Sequence, residues 1–175
     1  LSNTGKMPWV SWSISAYECI TGSKLREVEN SVCADCYACK GRYGFDNVQN
    51  ALVRRLDCFN YDPERWAVNM IMLLDKKSKG DEKYFRWFDS GDVQSLDMIR
   101  AIVWIAKMLP HIKFWLPSKE RVMWLTTDAK QLVASVPNLV VRISAPMLGE
   151  LALMEEYPTS SVGSDWGGKC PAPEQ

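Results

Sequence analysis

The sequence predicts an α/β fold: an open partial (β/α) barrel with about four parallel strands, similar in layout to larger (β/α) barrels, in a single domain over residues 1–175. Short segments rich in β-branched and aromatic residues alternate with longer ones that carry apolar residues at helical spacing. Such alternation builds right-handed βαβ units around a parallel sheet. Four strands are too few to close an eight-stranded barrel. At 175 residues and 47% hydrophobic content, the chain can bury roughly 70% of its unfolded surface without help from a metal or disulfides.

Residues 9–15, Trp-Val-Ser-Trp-Ser-Ile-Ser, read as the first strand. Val48, Leu52, Leu56 and Phe59 predict a helix over 43–60. Asp62-Pro63-Glu64 then supplies a cap and a first-turn proline for a second helix over 63–78, closed by Gly80. Residues 83–88 form strand two, which ends at Asp89-Ser90-Gly91-Asp92. A helix over 95–109 buries Leu96, Ile99, Ile102, Val103, Ala106 and Leu109. Pro110 stops it, 112–116 form strand three, and Pro117-Ser118-Lys119-Glu120 turns into a helix ending before Pro137. Residues 139–144 form strand four, whose Val140, Val141 and Ile143 suit a sheet covered on both faces. A short helix to about Tyr157 follows Pro146, and residues 158–175 form an irregular segment that folds back to a metal site.

The chemistry concentrates in Cys33-Ala34-Asp35-Cys36-Tyr37-Ala38-Cys39, where three thiols at two-residue spacing can converge on one centre. Cys19 upstream and Cys170 near the end can complete a four-thiolate site. Soft, deprotonated sulfur suits both an Fe–S cluster and structural zinc. Cys39 can serve as a spare ligand or pack at the start of the next helix, and Cys58 reads as a buried hydrophobe within an apolar helical pattern. The six cysteines sit in a chain with ample core, so a disulfide scaffold is not expected. The single histidine, His111, reads as a surface loop residue, which argues against His-based triads and metal sites.

In a parallel α/β fold the carboxyl ends of the strands carry the site. The cysteine loop, Asp89-Ser90-Gly91-Asp92, Pro117-Ser118-Lys119-Glu120 and Ser144-Ala145-Pro146 all leave strands at that rim. Asp89 and Asp92 can bind a ligand amino group or a cation, or cap the helix near Ser95 and stabilise the turn at Gly91. Arg86 and Arg142 can clamp a carboxylate or phosphate, or pair with neighbouring acids. Lys119 and Glu120 are expected to face solvent, and Trp66, Trp104 and Trp124 to fill the core. Lys plus Arg and Asp plus Glu both number 21, so charge gives no reason to expect nucleic acid or an anionic membrane as partner. No apolar run reaches the ~18 residues of a membrane span, and the N-terminus lacks a signal-like pattern. A soluble intracellular protein is expected.

The segments Cys19-Ile20-Thr21-Gly22-Ser23-Lys24-Leu25, Ser31 to Ala38, Lys40-Gly41-Arg42-Tyr43, Phe85 to Ser95, Phe114-Trp115-Leu116-Pro117 and Cys170-Pro171-Ala172-Pro173 resemble the bacteriophage "gene product eighty-eight" family of uncharacterised proteins. The resemblance implies a viral protein that works in the host cytoplasm during infection or with the virion, with a viral or host protein as partner. It also implies Cys19, Cys33, Cys36 and Cys170 as the ligands of one [4Fe–4S] cluster, with a structural, redox-sensing or electron-transfer role. At greater distance the layout looks like radical S-adenosylmethionine (SAM) enzymes, which place a cysteine loop after strand one and a glycine-acidic motif after strand two. Those enzymes use CxxxCxxC and leave one iron open for SAM, whereas here Cys170 can close the fourth position. Two alternatives follow: a diminished radical SAM-type enzyme that binds SAM through Asp92, and an interaction module stapled by zinc on four cysteines.

Overall fold

The structure, a computed structural model, describes residues 1–3 and 7–163, built on one five-stranded parallel sheet. Its strands are β1 (Ser11–Trp12), β2 (Lys83–Trp87), β3 (Ile112–Ser118), β4 (Leu139–Ser144) and β5 (Thr159–Ser160), neighbouring one another in chain order. The helices are α1 (Ile20–Leu25), α2 (Asp46–Tyr61), α3 (Pro63–Ser78), α4 (Leu96–Met108), α5 (Arg121–Trp124) and α6 (Thr127–Ala134). Because every crossover steps the same way, right-handed connections lay the intervening helices on one face of the sheet. No reversal of strand order brings helices to the other face.

Burial along the strands records this one-sidedness. In β3, Ile112, Phe114 and Leu116 are buried while Lys113 and Trp115 are exposed. In β4, Leu139, Val141 and Ile143 point into the core while Val140 is exposed. The expectation that strand four is covered on both faces is therefore corrected: the open barrel fragment buries its inner face at Ser11 and Ser13 but leaves it exposed at Trp115 and Val140. Under the helices, an aromatic cluster fills the core, with Trp12 against Trp66 at 5.0 Å and Phe85 against Trp87 at 4.8 Å between ring centroids.

Local signals set most boundaries. The Asp62 carboxylate accepts from Arg65 N at 2.9 Å at the start of α3, and Lys79 ends it in the left-handed region. Ser95 caps α4 by accepting from Met98 N. The helix expected after Pro117 is two, α5 and α6, because Thr126 caps a fresh start by accepting from Ala129 N. No helix reaches Tyr157; instead β5 pairs Thr159 with Ile143, so the segment from 158 is not wholly irregular. Cys58 is exposed, since α2 buries Leu52, Leu56 and Phe59 and position 58 falls on its other side. Trp104 is 40% exposed for the same reason on α4, whereas Trp66 and Trp124 are core. His111 is half-buried, its Nε2 3.0 Å from Ser78 Oγ. Among the described residues no helix is long and apolar enough to cross a membrane.

Candidate metal centre

The polypeptide leaves β1 through a 3-10 turn, Ala16–Glu18, into Cys19, which stands extended as the residue before α1. The CxxCxxC segment then winds in successive tight turns, with Cys36 N bonded to Cys33 O at 3.2 Å and Cys39 N to Cys36 O at 3.0 Å. The spacing of three, one turn per thiol, thus keeps the sulfurs in one region.

Hydrogen bonds and close packing lash this loop, and the α1 turn before it, to the strand ends. Val32 N donates to Pro146 O and Leu148 N to Asn30 O, both at 2.9 Å, anchoring it to the exit of β4. Glu120, beyond β3, accepts from Thr21 N at 2.7 Å and Thr21 Oγ1 at 2.6 Å, holding the first turn of α1. Asp89, beyond β2, accepts from Tyr43 Oη at 2.6 Å, Ser11 Oγ at 3.0 Å and Ser13 Oγ, while Tyr37 Oη donates to the Asp89 carbonyl. Gly91, at φ +73°, packs so close to β1's exit that a Cβ there would stand 2.3 Å from Ile14 Cγ1. Only glycine combines that backbone with that approach.

These ties enclose a cavity of about 220 Å³. Cys19, Cys33 and Cys36 line it together with the cations Arg26, Arg86 and Lys119 and the acids Asp89 and Asp92. Gly22 lies between two of the thiols: a Cβ on it would stand 2.7 Å from Cys19 Sγ and 3.9 Å from Cys33 Sγ. Burial pushes the Cys19 thiol up to about 12, helped by the nearby Asp92 carboxylate. Burial also raises Cys33, against the pull of Lys119. Cys39 is raised by burial and by Cys36, and it does not line the cavity. Cys58 is on the exposed side of α2, and Cys170 lies outside the described residues.

Asp92 faces the cavity too, 4% exposed. Burial pushes its carboxyl up to about 6, opposed by hydrogen bonds from Lys119 N and Val93 N. Its Oδ2 accepts from Lys119 N at 2.7 Å and its Oδ1 from Val93 N at 2.8 Å, so it bridges the exits of β2 and β3. Neither Asp89 nor Asp92 caps α4; Ser95 does. One ligand atom each from Cys19, Asp92 and Glu120 lies within 4.8 Å of the others. The carboxylate oxygens of that trio already accept backbone or hydroxyl hydrogens, which marks them as braces around the thiols.

Glu120 is buried, correcting the expectation that it faces solvent, because Thr21 supplies it with two donors. Arg86 and Arg142 make no salt bridge among the described residues. Arg86 lies over the Trp115 ring at 4.8 Å, and Arg142 Nη1 donates to Thr159 O at 2.9 Å. Sequence reasoning missed Gly22, Thr21, Arg26, Tyr37 and Tyr43. Gly22 carried a signal, standing one helical turn after Cys19 where a side chain would meet the thiol.

Three thiols from two chain segments, a glycine leaving room at the sulfurs and three cationic side chains in the lining fit a negatively charged metal–thiolate centre. The raised pKa values of Cys19 and Cys33 keep those two sulfurs protonated at neutral pH in the metal-free protein, so metal binding there must displace protons. A sequence profile of the family described as Gene product 88 matches residues 5–161. That span holds Cys19, Cys33, Cys36, Cys39 and Cys58 and stops before Cys170. No curated protein and no solved structure matches the chain, so the likeness to radical SAM enzymes rests on layout alone.

Proposed function

Since the chain belongs to the phage Gene product 88 family, we propose that it is an iron–sulfur protein of the phage, holding one [4Fe–4S] cluster in the cavity at the sheet's carboxyl rim. The observation that carries this reading is the convergence of Cys19, Cys33 and Cys36 on one cavity around Gly22. Cys170 is the fourth ligand in this proposal. When bound, such a cluster supplies one-electron chemistry or a structural staple. Arg26, Arg86 and Lys119 offset its negative charge and favour the reduced form. Glu120 holds the Cys19 turn through Thr21, and Asp89 holds the loop through Tyr37 and Tyr43.

One observation favours a second reading. The described thiols that line the cavity number three, and a three-thiolate cluster leaves an iron open to a small ligand such as SAM. Asp92 would then orient the ligand, although both its oxygens already serve backbone N–H groups.

Anaerobic purification with metal analysis, visible absorption and EPR, with and without SAM, separates the readings. Brown protein with about four irons and a spectrum indifferent to SAM supports the closed cluster. A SAM-perturbed spectrum supports the enzyme, and colourless protein carrying zinc refutes both. Replacing Cys33 and Cys36 by serine should abolish the chromophore; full iron retention in that variant sinks the assignment.

A further inference from the structure

The exposed part of the sheet's inner face carries a second feature beside the thiol cavity. Strand register puts Arg86 next to Trp115 and Trp115 next to Val140, one residue from each of β2, β3 and β4 in a single row. At one strand spacing per step the row forms a platform roughly 10 Å wide. It floors an apolar groove of about 670 Å³, a volume suited to a small organic molecule. Trp115 and Val140 are 37% and 45% exposed, so the platform is open to a ligand.

Arg86 belongs to both spaces, lining the thiol cavity and the groove. Its Nε is buried with no hydrogen-bond partner, and no carboxylate pairs with it among the described residues. Its Nη1 lies 3.8 Å from the Met7 sulfur, and the guanidinium stands close enough to the Tyr37 hydroxyl to favour its ionised form. A buried donor on a charged group without an acceptor is costly, and an anion in the plane of the guanidinium would satisfy it. Its Cζ lies 4.8 Å from the centre of the Trp115 ring, so a cation–π contact ties the guanidinium to the platform. Lys113 adds positive charge at the groove, already partnered by Glu82 at 3.4 Å.

We propose that the groove is the binding site of a small planar aromatic acid, whose ring lies on the Trp115–Val140 platform and whose anionic group meets Arg86 at the mouth of the thiol cavity. The anion satisfies the stranded Nε–H, and the ring covers apolar surface that the open barrel leaves exposed. Arg86 thereby aims the acid group of the ligand toward the thiols. The groove shares Arg86 with the thiol cavity but is lined by no cysteine, so its ligand goes beyond the cluster assignment.

The test titrates the full chain with 2-naphthoate and with its neutral analogue 2-naphthalenemethanol, following binding by calorimetry. Saturable binding of naphthoate, at least tenfold tighter than the alcohol, is expected. Arg86→Met should erase that preference while leaving the alcohol unchanged, and Trp115→Ala should weaken both. Val122→Ser, on the exposed surface of α5, should change neither. Naphthoate bound no better than the alcohol, or unaffected by Arg86→Met in a variant with native circular dichroism, overturns the proposal. If Arg86→Met does not fold, Trp115→Ala decides: unchanged naphthoate affinity there overturns it equally. Concentration-dependent dimerisation that buries Trp115 and is undisturbed by naphthoate assigns the face to a second copy and also overturns it. Repeating the titration on Cys33→Ser/Cys36→Ser protein keeps the cluster and the groove separable, since the groove should bind naphthoate with no iron present.

Discussion

Gly22→Ala is the sharpest probe of the thiol centre, because it should move metal binding and metal-free stability in different directions. A Cβ at position 22 would stand 2.7 Å from Cys19 Sγ, whereas ordinary contact begins near 3.4 Å, so the sulfur must retreat by several tenths of an ångström. Metal–thiolate bonds tolerate about ±0.2 Å, so a displaced Cys19 no longer meets the metal on the same terms as Cys33 and Cys36. We expect metal affinity to fall by about 10- to 100-fold, the scale on which a disturbed ligand environment is felt. The metal-free protein should behave otherwise. Alanine is about 1 kcal/mol better than glycine inside a helix, and a free thiol can rotate away, so stability should change by no more than ~1 kcal/mol. The assay pairs urea unfolding of metal-free protein with loss of visible absorbance in excess chelator after anaerobic reconstitution. A cluster as long-lived in Gly22→Ala as in the unaltered chain would refute the placement of metal between Cys19 and Cys33.

Glu120→Ala strands Thr21 N and Oγ1 beside a buried gap and should cost about 1–3 kcal/mol in urea unfolding; Thr21→Val, which keeps the backbone bond, should cost less, and the reverse order would contradict the brace. Asp89→Asn removes a charged acceptor shared by Tyr43, Ser11 and Ser13, so about 1–3 kcal/mol is expected, with partial loss of iron as the cysteine loop loosens. Cys58→Ser, on the exposed side of α2, should lie within about 0.5 kcal/mol of the parent and keep all its iron; iron loss there would place a ligand outside the rim.

Strand four, the helix over 63–78 and the helix over 95–109 were legible because each carries its own period and its own punctuation: Asp62-Pro63 and Ser95 at the starts, Gly80 and Pro110 beyond the ends. The CxxCxxC motif was legible because three thiols at turn spacing are informative without any tertiary partner. Glu120 was misread because its neighbours in sequence say nothing of Thr21, ninety-nine residues earlier, which supplies both its donors. Cys58 and Trp104 were misread because an apolar residue inside an amphipathic helix is assigned to the core by company, whereas the rotation of the helix decides.

Sequence alone determined that this is a parallel α/β chain whose CxxCxxC loop and Asp89-Ser90-Gly91-Asp92 loop follow strand ends, since periodicity, caps and motif spacing are local properties. It also sufficed for family membership, which rests on segments spread over residues 5–161. Only the tertiary structure decided that the sheet leaves Trp115 and Val140 exposed on its inner face, that Gly22 leaves room between two thiols, and that Arg86, its Nε without a partner among the described residues, stands between the cavity and that aromatic platform. Those features depend on which distant residues meet, and that is set by the direction of each crossover and the packing of whole elements, which no local pattern records.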